Sequence, residues 1–152
     1  MLSAMSAMSD ALAVIDASLV LKALLPNPQM ERCQAVLADL RGAQLAAPAL
    51  WVYEVTSTLT KAVHFKQLTV EECKAALRQA LELDVQLFAP DEAQSNLAMD
   101  WTLRLKRAAA YDSFYLAIAE TLDAPLWTAD QRLINIFQEQ KPNWLHWIGE
   151  VA

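Results

Sequence analysis

Four carboxylates stand in conspicuous places: Asp16, Glu54, Asp112 and Asp130. Asp16 ends the apolar run Leu12–Asp16, and a charge closing such a run is costly unless something pairs with it. Glu54 lies in the otherwise apolar run from Ala49 to Val55, Asp112 opens a helical pattern, and Asp130 follows Leu126-Trp127-Thr128-Ala129. Taken singly, Asp130 reads as a helix N-cap, Asp112 as a first-turn charge favoured by the helix dipole, and Glu54 as part of a solvated face. Together they have one explanation. Carboxylates at close range repel and their pKa values rise, and a divalent cation removes that cost. Oxygen ligands alone suit Mg2+ or Mn2+ rather than zinc. Such an ion activates water and stabilises charge building on a phosphate. No Ser-His-Asp arrangement or Cys–His pair competes for a catalytic role. His64 and His146 lie far apart, without the spacing of zinc ligands.

The elements that must position these groups alternate short apolar strands with longer helices. Strands are expected at Leu12–Asp16, Gln44–Ala47, Val85–Phe88, Pro125–Thr128 and Leu145–Ile148. Ser18 is expected to open the first helix, which stops near Pro26, and Pro28 begins a second that runs to about Arg41 and ends at Gly42. A long helix covers about Ala49 to Phe65. Thr69 with Glu72 makes a capping box for a helix reaching Leu83. Asp91 caps a helix to about Arg107, Ala108–Tyr111 leads into a helix over Asp112–Leu122, and Asp130 begins another. This alternation predicts an α/β fold with a parallel sheet covered on both faces. In such sheets ligands bind beyond the carboxyl ends of the strands, where the strand order reverses. Asp16 and Asp130 follow strands, Glu54 lies in the first two turns after the second strand, and Asp112 starts a helix facing the same rim. All four carboxylates are therefore expected at one edge.

The chain has 152 residues, 55% of them hydrophobic. That length suits one domain burying roughly 68–70% of its unfolded surface. The scarcity of glycine, only two residues, argues against a Gly-rich phosphate loop and against a sandwich or barrel with many tight turns. Residues 1–10 are expected as a flexible N-terminus, without the cations of a secretory leader, and 11–152 as the single domain. Asp16 and Lys22 break the first apolar stretch, so no membrane span is expected. Cys33 and Cys73 read as free thiols of a reducing, cytoplasmic compartment. The net charge is −6, so any binding of nucleic acid rests on local cations rather than on the global field.

The matching stretches Val14-Ile15-Asp16-Ala17-Ser18, Ala47-Pro48-Ala49-Leu50-Trp51-Val52-Tyr53-Glu54-Val55, Tyr111-Asp112-Ser113-Phe114-Tyr115-Leu116-Ala117 and Leu126-Trp127-Thr128-Ala129-Asp130-Gln131-Arg132-Leu133 come in an order and spacing that resemble the PIN-domain nucleases. The likeness is strongest to the toxins of VapC-type toxin–antitoxin pairs, and it runs over residues 11–149. It implies a three-layer α/β/α fold around a short-stranded parallel sheet. It implies an endoribonuclease in which Asp16, Glu54, Asp112 and Asp130 hold Mg2+ or Mn2+ and a water activated at that metal attacks the phosphate in line. Thr128 matches the hydroxyl before the last acid, which orients a ligand or water. Ser113 departs from the small apolar residue usual there. The resemblance also implies an antitoxin partner and a homodimer, for which the apolar helices between Pro28 and Leu83 offer surfaces.

Candidate phosphate contacts are Lys22, Arg132 and the run Arg104-Leu105-Lys106-Arg107. The five tryptophans are candidate stacking surfaces, although Trp51 and Trp127 fit a core or interface and Trp144 and Trp147 fit packing. Two rival readings remain. One is another Mg2+-dependent phosphohydrolase, but the first strand is followed by Asp16-Ala17-Ser18 where a haloacid-dehalogenase-type enzyme has Asp-x-Asp. A receiver domain needs an acidic pair and a late lysine that are also absent. The other is a PIN fold kept as a non-catalytic interaction module.

Overall fold

The computed structural model describes residues 11–107 and 110–150. The expected flexible segment 1–10 and part of the lead-in at Ala108–Tyr111 lie outside the described residues. In chain order the elements are β1 (Leu12–Ile15), α1 (Ala17–Leu24), α2 (Met30–Asp39), β2 (Gln44–Pro48), α3 (Leu50–His64), α4 (Val70–Leu81), β3 (Gln86–Phe88), α5 (Glu92–Arg104), α6 (Tyr111–Leu122), β4 (Leu126–Thr128), α7 (Gln131–Ile136), β5 (Leu145–Trp147) and a closing 3-10 turn (Ile148–Glu150). The strands form one five-stranded sheet in the order β3-β2-β1-β4-β5. Every pairing is parallel. This is the expected three-layer α/β/α fold, with helices flanking the sheet.

The middle strand β1 carries no polar residue because both its faces are covered. Successive strand side chains point to opposite faces, and Ala13, Val14 and Ile15 are all at most 1% exposed, as are Ala46 and Ala47. Leu19 and Val20 of α1, Leu59 of α3 and Leu116 and Ile118 of α6 complete the core. The strand order reverses at β1. From there the chain builds outward to β2 and β3, then returns to lay β4 on the other side of β1. The carboxyl ends of β1 and β4 are therefore neighbours, joined by the Asp16 N–H donating to the Trp127 carbonyl at 3.1 Å.

Local chemistry explains the boundaries. Thr69 and Glu72 form the expected capping box of α4, and Asp91 caps α5 through the Gln94 N–H. One expectation needs correction. Ser18 does not open α1; Asp16 is its N-cap and accepts the Ser18 N–H, while the Ser18 hydroxyl turns toward β4. The second helix ends at Asp39, and Gly42 takes the left-handed conformation, φ +95°, in the turn that follows. The fifth helix stops at Arg104 because the chain reverses its hand at Lys106, φ +56°. The last strand ends at Trp147 and tightens into the 3-10 turn.

No helix among the described residues is long and apolar enough to cross a membrane. Cys33 is buried and Cys73 half-buried, both as free thiols. Leu116 is fully buried between α6 and the sheet. Leu116→Ala should lower the unfolding free energy by about 2–5 kcal/mol, read as a fall in the urea midpoint at unchanged slope.

Candidate active site

The reversal at β1 creates a cleft of about 660 Å3 that Asp16, Glu54, Asp112 and Asp130 all line, together with Lys22 and Arg132. The four carboxylates come from four places in the chain. Asp16 caps α1 directly after β1, Glu54 lies in the second turn of α3, Asp112 in the first turn of α6, and Asp130 caps α7 two residues past β4. The strand pattern thus brings all four expected acids into one cleft. Among the described residues, no three His, Cys, Asp or Glu side chains stand close enough to hold a metal ion as they are placed.

Asp16 is the most constrained. Its Oδ1 accepts the Ser18 N–H at 2.8 Å and its Oδ2 accepts the Thr128 hydroxyl at 2.7 Å. Thr128 has one hydroxyl proton and gives it to Asp16, so toward its other neighbours it can only accept. It accepts the Asp130 N–H at 3.0 Å, and the contact to the Ser18 hydroxyl at 3.4 Å is a donation from Ser18. Ser18 in turn accepts the Ala129 N–H at 3.1 Å. Thr128 is fully buried and does not line the cleft. It therefore acts through Asp16 and the Asp130 backbone.

Glu54 is held from the opposite side. The Tyr115 hydroxyl donates to Glu54 Oε1 at 2.5 Å. Burial raises the Tyr115 pKa, as do the charges of Asp16 and Glu54, so Tyr115 remains a donor. Sequence reading missed this residue. A signal was available: Tyr115 lies one helical turn beyond Asp112, in a helix apolar enough to be buried, and a buried phenol needs a partner.

The charges answer to burial and to each other. Burial lifts the Asp16 carboxyl to about 6 against the bonds from Ser18 and Thr128, and the charges of Asp112 and Asp130 lift it further. Burial takes Glu54 to about 7, helped by Asp16 and Asp112 and opposed by the Tyr115 bond. Asp112 is also raised, by burial and then by Asp130, while Arg107 and Arg132 hold it down.

The cations are less free than their positions in sequence suggest. Lys22 Nζ donates to Gln29 Oε1 at 2.8 Å and to the Ala129 carbonyl at 3.0 Å, tying α1 to the loop that carries Asp130. Arg132 pairs with Asp130, Nε to Oδ1 at 3.2 Å, and its side chain stays 90% exposed. An exposed pair of this kind is worth about 0–1 kcal/mol, so the guanidinium is easily displaced. Of the basic run, Arg107 bears on Asp112, whereas Arg104 lies over Trp101. The tryptophans serve packing: Trp51 is 1% exposed, Trp127 stacks on His146, and Trp101 meets Phe137 and Trp144 edge-on.

Stability should record the buried charges. A carboxyl whose pKa is raised by folding favours the folded state below its unfolded value, and that contribution is lost as pH rises through the folded value. For Asp16 and Glu54 the loss falls between about 4 and 7. At pH 8, without divalent cations, Glu54→Gln should therefore melt at a higher temperature than the parent, with the gap closing toward pH 4. Tyr115→Phe removes the donor and should push the Glu54 carboxyl further up, visible as a later carboxyl carbon titration by NMR.

Comparison with known proteins places this architecture. Residues 14–142 match the PIN domain family. The chain is 35% identical over 124 residues to ribonuclease VapC3 of Mycobacterium tuberculosis (strain CDC 1551 / Oshkosh), a stretch covering 79% of this chain and 83% of that protein. A chain of a toxin–antitoxin complex from Klebsiella pneumoniae superimposes with a TM-score of 0.63 at 16% identity, over 88% of this chain and 95% of that one. VapC20 of Mycobacterium tuberculosis, a sarcin–ricin loop cleaving toxin, does so with a TM-score of 0.63 at 12% identity, over 81% and 93%. At those identities the two structures speak for the fold, while the family match and VapC3 speak for descent. By sequence over most of its length, the chain belongs to the PIN-domain family.

Proposed function

We propose that the chain is a metal-dependent endoribonuclease, the toxin of a toxin–antitoxin pair, with Asp16, Glu54, Asp112 and Asp130 as ligands of Mg2+ or Mn2+. The observation that carries this reading is the gathering of four carboxylates from separate elements into one cleft, against their mutual repulsion. The donor set fits such an ion. It is all oxygen, it is acidic, and no His or Cys among the described residues lines the cleft. When bound, the ion would lower the pKa of a water and stabilise charge on the phosphate.

The chain's own residues supply the rest. The Ser18 N–H and the Thr128 hydroxyl aim the Asp16 carboxylate, and Tyr115 aims Glu54. Thr128 also holds the backbone of Asp130, so one hydroxyl keeps two ligands in register. Arg132 covers Asp130 until a stronger cation displaces it, and it then has the reach and charge to meet a phosphate oxygen. The name of VapC3, a ribonuclease, supports RNA as the substrate. The Klebsiella complex supports an antitoxin partner. The apolar side chains exposed at the ends of α3 and α4, Phe65 just past α3 at 68% and Leu81 at 51%, offer surface for that partner and for a second copy of this chain.

Asp16→Asn should abolish RNA cleavage while circular dichroism stays that of the parent. Cleavage that survives in this variant, or in excess chelator, would sink the proposal. Calorimetric titration separates an enzyme from an interaction module: Mn2+ should bind the parent, and Thr128→Ala should weaken it about 10–100-fold through the misaimed ligands.

A further inference from the structure

A second cavity, about 570 Å3, lies between the end of α5 and the segment joining α7 to β5. Its character is opposite to that of the acidic cleft. Trp101, Phe137 and Pro142 form apolar wall, Arg104 and Lys106 supply two cations, and no acidic residue among the described residues lines it. The Arg104 guanidinium is already ordered, stacked 4.5 Å from the centre of the Trp101 ring. At Lys106 it is the backbone that is fixed. Its N–H bonds the Leu103 carbonyl and the Arg107 N–H bonds the Thr102 carbonyl, which is the paired pattern that ends a helix with one left-handed residue. Arg107, next in the chain, bears on Asp112 in the acidic cleft.

None of these three cations makes an ion pair among the described residues. Glu120 bonds to the wall, but its carboxylate takes the Trp101 indole N–H at 2.7 Å. On a chain of net charge −6, whose overall field repels polyanions, contact with a polyanion rests on local cations such as these. We propose that Arg104 and Lys106, continued by Arg107, bind phosphates of the RNA strand that flanks the scissile bond. The proposal rests on the ribonuclease reading, because the run leads toward Asp112, which lines the cleft where that reading puts the phosphodiester. An acidic protein segment has no such reason to lie along it.

The test measures anisotropy of a labelled oligouridylate with the metal-free full chain across a KCl series. The variants are Arg104→Gln, Lys106→Gly and both together. Lys106→Gly suits the left-handed backbone, so it removes the charge without straining the turn. Each lost contact should lower the log–log salt slope by about 0.7 and raise KM for oligonucleotide cleavage. Hydrolysis of bis(4-nitrophenyl) phosphate with Mn2+, a diester too small to reach both places, should stay unchanged. A double variant with the parent's slope and affinity overturns the proposal, as would variants that lose a co-purifying protein while keeping the oligonucleotide. A parent that cleaves neither substrate would overturn the nuclease reading alone, since the salt slope reports the binding surface independently.

Discussion

The hydroxyl proton of Thr128 goes to Asp16, and much of the cleft is arranged around that bond. It crosses from β4 to the end of β1, at the one place where the strand order reverses. Having spent its only proton there, Thr128 accepts from the Asp130 N–H and from Ser18, which fixes the turn into α7. Asp16 meanwhile caps α1. One buried hydroxyl therefore aligns two helix starts and two acids, and a small displacement of β4 against β1 would disturb all of them together.

The same arrangement sets a conflict between stability and use. Buried carboxylates near one another are unfavourable when ionised, and Asp16 and Glu54 are pushed to about 6 and about 7 as a result. The surrounding core is what tolerates this. Val14, Ile15, Leu19 and Leu116 are fully buried in the core, and their packing offsets the cost at the rim. Groups that hold carboxylates apart in pKa from their solution values are frequent at functional sites, because relief of that strain is available only when the right partner arrives.

Charge is also sorted over longer range. The acids gather in the cleft, while Arg104 and Lys106 line a cavity with no acid among the described residues, and Arg107 bears on Asp112. Lys22 and Arg132, which flank the acids in sequence, are engaged by the protein itself. A cation's distance in sequence from an acid says little about whether it is free to meet another molecule.

The sequence by itself determined the alternation of strands and helices, the capping box at Thr69 and Glu72, and the delivery of Asp16, Glu54, Asp112 and Asp130 to one rim. These follow from local periodicity, from capping chemistry and from the rule that a parallel sheet presents its carboxyl ends together. Only the tertiary structure decided that Asp16 rather than Ser18 caps α1, because Ser18 is drawn to Ala129 just past β4, 111 residues away. It also decided that Tyr115 serves Glu54, 61 residues apart, that Arg104 belongs to Trp101, and that Lys22 is a strut. Each depends on which long-range neighbour satisfies a side chain's last hydrogen bond or charge. That choice is made by packing distances that no local pattern in the chain encodes.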